Sequence, residues 1–197
     1  LLRIRGRAMQ AAVPVGQGAM AALLGLSFDQ AEAVAAEAAQ GEVCQVANQN
    51  DPAQNVVSGS KAAVERAIDL AKAAGAKRAL LLPVSAPFHC ALMAPAAEEM
   101  AGALADVTMN APAVPVVANV VAEAVTDPEQ IRKLLIEQVT GQVRWMSSVE
   151  WMGAQGVTEV WEIGAGKALS GMIRRINKEI TCVNIGTAAD AAAVKTA

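Results

Sequence analysis

Hydrophobic residues in this chain fall into short blocks separated by glycine, proline and polar clusters, and the block lengths set the elements. Leu1 to Ala12 reads as the tail of a helix that begins upstream, and Pro14, Gly16 and Gly18 mark a loop. The apolar run Ala19 to Leu26 is short enough for a buried strand. Ser27 or Asp29 can cap the helix that follows, about Phe28 to Gln40, and Gly41 stops it. Val43 to Asn48 and Gln54 to Ser58 read as strands around an Asn50-Asp51-Pro52 turn. A helix is predicted over Lys61 to Ala74, with Gly75 where a C-terminal cap belongs, and a fourth strand over Ala79 to Val84. This β-α-β-β-α-β order is the ferredoxin-like pattern, assigned to residues 14–84.

Beyond Val84 the texture changes. Ser85 to Cys90 is a loop entering a helix of about Ala91 to Ala105, and Pro112 and Pro115 frame the apolar run Val114 to Val121. Asp127-Pro128 starts a helix reaching about Val139, and another covers about Met146 to Gln155. Val157 to Ile163 is a strong strand, Gly164-Ala165-Gly166 turns into a helix over Lys167 to Asn177, and Thr181 to Ile185 is a last strand. Strands alternating with helices imply a parallel sheet covered on both faces. Residues 1–13 and 85–197 are thus expected to form an α/β core short of strands, and the alanine-rich end from Ala188 is expected to fray.

Composition narrows the function classes. With 54% hydrophobic and 18% charged residues, the 197-residue chain can bury a sizeable core. Aromatics are only 3%, the net charge is -3, and no basic stripe stands out, so nucleic acid is not an expected partner. An acidic protein partner would need a local basic patch; Lys72, Lys77, Arg78, Lys167, Arg174 and Arg175 are candidates, or simply solvated charges. Cys44, Cys90 and Cys182 match neither a disulfide framework nor a zinc pattern, which fits reduced thiols, a cytoplasmic location and no metal. No apolar run approaches the roughly 20 residues that cross a bilayer, so no membrane association is expected.

Few residues here can do chemistry. His89, the one histidine, sits at a strand-to-helix junction, where it is either idle or a proton-transfer group. Cys90 next to it is a conceivable nucleophile, as in a Cys-His hydrolase, but neighbouring helix residues point about 100° apart, which favours a plain buried thiol. Arg5 is either a solvated charge or a bidentate carboxylate ligand. Gly164-Ala165-Gly166-Lys167 fails the phosphate-loop pattern, because Trp161 replaces its first glycine and Ala168 follows the lysine. That leaves a tight turn or a basic turn facing a cofactor phosphate. The chain holds no Gly-x-Ser-x-Gly nucleophile elbow.

Several stretches together resemble the bacterial malonyl-CoA:acyl carrier protein transacylase family. They are Arg5-Gly6-Arg7-Ala8-Met9-Gln10, Gly18-Ala19-Met20-Ala21-Ala22, Asn48-Gln49-Asn50 with Pro52-Ala53-Gln54, Val84 through Met93, Pro115 to Asn119, Gln142 to Trp145, and Glu162 to Lys167. The resemblance implies an α/β-hydrolase-like acyltransferase core with the ferredoxin-like subdomain inserted. It maps the catalytic histidine onto His89, the arginine that holds the malonyl carboxylate onto Arg5, and the glutamine whose carbonyl orients the histidine onto Gln138. It places Asn48 and Asn50 in a loop near the pocket, and Phe88 where it narrows that pocket toward malonyl over methylmalonyl.

It further implies malonyl transfer from a coenzyme A thioester, as substrate rather than cofactor, to acyl carrier protein, for fatty acid biosynthesis, by a monomer when full length. In that family the nucleophilic serine lies in a Gly-His-Ser-x-Gly elbow before the arginine, and an early glutamine-glycine segment helps form the oxyanion hole. Both are expected upstream of Leu1, so the chain is expected to be the C-terminal two-thirds of such an enzyme and inactive alone. The alternative is a non-catalytic fragment that binds carrier protein or coenzyme A.

Overall fold

Four strands, β1 (Gly18–Leu24), β2 (Cys44–Asp51), β3 (Gln54–Ser60) and β4 (Arg78–Leu81), form an antiparallel sheet in the order β2-β3-β1-β4 in the computed structural model, which describes residues 1–194. Ala21 and Leu23 of β1 face helices α2 (Phe28–Ala39) and α3 (Lys61–Ala73) and form one core with Val34, Val57 and Val64. Met20, one position out of phase, belongs to a second cluster with Ala47 and Val56, against which Phe88 packs. Successive strand residues point to opposite faces, so burial of both faces explains why β1 reads as a continuous apolar run. Ser27 caps α2 through a reciprocal box with Gln30, and Arg66 of α3 donates to the terminal carbonyls of Ala38 and Ala39.

Helix α1 (Leu2–Ala12) packs against α4 (Ala94–Ala105), which a 3₁₀ turn, Ala91–Met93, introduces. Ala8, Met9, Met93, Met100 and Leu104 form that core, closed by Val139 just after α5 (Pro128–Glu137). Helices α6 (Trp145–Ala154) and α7 (Ala168–Ile176) share a smaller cluster of Val149, Ile173 and Ile180. Helix α8 spans Ala188–Ala193; the rest of the alanine-rich end, residues 195–197, lies outside the described residues.

Two expectations are corrected. The parallel sheet is, among the described residues, a single pair: β7 (Glu159–Ile163) beside β8 (Thr181–Ile185). The apolar run after Pro115, to which the sequence assigned no element, stays apart from that pair. Instead β5 (Val116–Ala118) folds back at Ala122, which has φ 57°, and pairs antiparallel with β6 (Glu123–Val125). A local hairpin satisfies those backbone groups as well as a crossover would, and apolar period does not distinguish the two. Finally, Asn50 and Asp51 are strand, not turn. Irregularities at Val46/Asn48 and Gln49/Asp51 carry β2 past the polar residues, and the Asp51 carboxylate accepts from Ala53 N at 3.0 Å to close the bend.

Candidate active site

The loop between β4 and the 3₁₀ turn is fastened at several points. Gln10 Nε2 donates to Ser85 Oγ at 2.6 Å, and the Cys90 thiol donates to Pro87 O at 3.2 Å. From β2, Gln45 Oε1 accepts from Ala91 N at 2.7 Å. The buried ring of Pro87 lies against Gly18, where a Cβ would come within 2.3 Å of it. His89, at the centre of this loop, has φ 58°. Histidine tolerates that left-handed region better than most residues, at a cost on the order of 1–2 kcal/mol that the surrounding contacts offset.

His89 Nδ1 lies 3.0 Å from the main-chain oxygen of Gln138. A carbonyl only accepts, so Nδ1 carries the proton and Nε2 keeps its lone pair. Burial lowers the imidazole below its ordinary 6.5, and the nearby Arg5 charge adds to this; the Gln138 and Gly141 carbonyls oppose it. Both burial and the Arg5 charge thus favour the neutral form of the ring. Arg5, half-buried on α1, forms no ion pair among the described residues. It shares with Gln138, Met100 and Leu135 a mostly apolar hollow of about 410 Å³. An unpaired guanidinium beside a neutral base can take a carboxylate-bearing substrate.

The structure thus brings together His89, Gln138 and Arg5. Phe88 packs against two clusters at once, that of Met20 and that of Met93. Asn48 and Asn50 stand on β2, and among the described residues neither side chain hydrogen-bonds to His89, Arg5 or Gln138. Cys90 is fully buried and burial raises its thiol, while Cys44 is pushed up to about 11. Cys90 is thus a protonated donor to Pro87, and a nucleophile in that state would be inert. The glycine turn does not present a free helix N-terminus either. The Glu162 carboxylate accepts from Leu169 N at 3.0 Å and Ser170 N at 2.8 Å, taking the groups a phosphate would use.

Sequence reasoning missed Gln45 and Gly141, and Val143 entered it only as part of the Gln142 to Trp145 stretch. Gly141 follows α5 closely, and a Cβ there would meet Glu137 O at 2.8 Å, so a glycine just past a helix end was a usable signal. Nothing local marks Gln45, whose partner Ala91 is 46 positions away. Among the described residues no three metal-ligating side chains cluster, and no helix is long and apolar enough to cross a membrane.

A histidine held at Nδ1 by a carbonyl, with an unpaired arginine nearby, is compatible with a site that moves an acyl group bearing a carboxylate. Residues 1–138 match the acyl transferase domain family, and the chain belongs to it. It is 51% identical over 181 residues to the malonyl CoA-acyl carrier protein transacylase of Escherichia coli (strain K12), covering 92% of this chain and 59% of that protein. The crystal structure of an acyl-carrier-protein S-malonyltransferase from Bartonella henselae superposes with a TM-score of 0.94 at 53% identity, covering 98% of this chain and 61% of that one. A type II PKS acyl-carrier protein in complex with its malonyl-transacylase matches with a TM-score of 0.93 at 43% identity, over 96% of this chain and 62% of that one. The chain therefore spans about 60% of the length of the relatives it matches.

Proposed function

We propose that this chain is the base-bearing and substrate-selecting part of an acyltransferase that moves malonyl from coenzyme A to the phosphopantetheine thiol of acyl carrier protein. The observation that carries this reading is the neutral His89 ring, bound at Nδ1 and free at Nε2, beside the unpaired Arg5. The similarity to malonyl-transferring relatives supports it, and the relative in complex with an acyl-carrier protein supports the partner. The β2-β3-β1-β4 order supports a ferredoxin-like subdomain at 14–84, set into an α/β-hydrolase-like core of 1–13 and 85–197.

The serine comes from outside these 197 residues. Its oxygen attacks the thioester carbon while His89 Nε2 takes its proton. The C–S bond breaks, the coenzyme A thiolate leaves with that proton, and malonyl remains as a serine ester. The carrier thiol then gives its proton to His89, the thiolate attacks the ester, and the departing serine oxygen recovers the proton. Arg5 pairs with the malonyl carboxylate, so acetyl is disfavoured because it leaves the guanidinium unpaired. By the same resemblance, Phe88 would narrow the pocket against a methyl branch, and Asn48 and Asn50 would belong to a loop near it.

The test is a chimera in which the Escherichia coli relative supplies its upstream segment, assayed for malonyl transfer to carrier protein. His89→Ala is expected to lose transfer by about 10²–10⁴-fold with the fold retained. Arg5→Ala removes two charge-assisted hydrogen bonds, roughly 1.5 kcal/mol or more each, and is expected to cost malonyl transfer about 10²-fold or more while sparing acetyl. Near-wild-type transfer in the first variant, or equal losses for both acyl groups in the second, would refute these roles.

A further inference from the structure

Gln138 touches the base through its main chain, but its side chain points elsewhere. Nε2 donates to Gly141 O at 2.8 Å and to Gln142 O at 3.2 Å, bridging the turn that follows α5. Gly141 N donates back to Glu137 O at 2.8 Å. One residue further on, the turn is stitched to β2 as an isolated parallel bridge. Val143 N donates to Ala47 O at 2.8 Å and Gln49 N donates to Val143 O at 2.9 Å. The turn is thus held at its start by α5 and at its end by the four-stranded sheet, with the Gln138 amide as the brace between. The Gln138 peptide is also held from the helix side, where Val139 N donates to Ile136 O at 3.1 Å, so the brace adds to that bond by fixing the turn beyond it.

We propose that the Gln138 side chain is a positioning group for His89. By bridging the Gly141 and Gln142 carbonyls it locks the turn onto β2 and aims its own main-chain carbonyl at Nδ1. That sets the Nδ1–H tautomer and leaves Nε2 as the base. Its importance for catalysis rests on the acyltransferase reading, but the ring state is read without turnover, so the two fail separately.

The chain has a single histidine, so its ring nitrogens can be observed without assignment ambiguity by ¹⁵N-edited NMR above the imidazole titration. The wild-type ring is expected in the Nδ1–H form. Gln138→Met, similar in length but without a donor, and Gln138→Glu, which sets an acceptor against two carbonyls, are expected to shift the tautomer ratio toward Nε2–H. The shift should be about 2- to 12-fold, the equivalent of one neutral hydrogen bond. Leu134→Ala loosens the buried face of α5 without touching the brace and should leave the ratio unchanged. A wild-type Nε2–H ring would overturn the proposal, as would an unchanged ratio in Gln138→Met and Gln138→Glu or an equal shift in Leu134→Ala.

Discussion

Gly18→Ala tests how closely the small sheet and the His89 loop are fitted. Gly18 opens β1 and its φ is not in the left-handed region, so alanine meets no backbone penalty there; the obstacle is steric. A Cβ would stand 2.3 Å from Pro87 Cγ and 2.5 Å from Cδ, against about 3.5–4.0 Å for a relaxed carbon pair. The ring must retreat by roughly 1.2 Å or more. It has no rotamer to escape into, because it is closed onto its own backbone and buried, so the displacement passes to residues 86–89. Over-packing of this size costs about 1–3 kcal/mol, which for a chain of this length lowers the melting temperature by about 2–12 °C. A base displaced by about 1 Å would slow transfer on the order of 10²-fold. Thermal melts of the chain and transfer by the chimera read the two effects. Because the clash is with one ring, Pro87→Ala should recover part of the Gly18→Ala loss, giving a favourable coupling in a double-mutant cycle. Wild-type melting in Gly18→Ala, or strictly additive losses in the pair, would refute the argument.

Three further expectations concern charge. With the His89 ring held below 6.5, the acidic limb of transfer against pH should have its midpoint below 6.5, and a midpoint above that value would contradict the burial argument. Stability follows the same sign: between the folded and unfolded values the unfolded chain binds the extra proton, so stability is full above 6.5 and declines as pH falls through the folded value, a decline His89→Ala should remove from urea midpoints. Arg175→Ala strips the buried Asp51 carboxylate of its 2.7 Å partner and should cost about 1–3 kcal/mol in urea unfolding, discounted because Arg175 is half exposed; no measurable change would show the pair to be idle.

Local rules were enough for most of the chain. The capping serine at 27, the stop at Gly41, Gly75 past α3 and Asp127-Pro128 at the start of α5 act over a few residues, so their elements could be read directly. The β-α-β-β-α-β succession followed from them, the quoted motifs contain His89 and Arg5, and the family resemblance pointed to Gln138 ahead of the Gln142 to Trp145 stretch. What only the tertiary structure decided are pairings between distant positions. It paired Val116–Ala118 with Glu123–Val125 in a hairpin, set the Val143 bridge on β2, placed Gln45 over Ala91, and chose the histidine nitrogen that bears the proton. Backbone hydrogen bonds carry no side-chain signature, so no pattern along the chain announces which carbonyl will face His89. The residue at the opening of this fold, Gly18, shows the same division: its identity is plain in the sequence, while its reason is a proline ring 69 positions later.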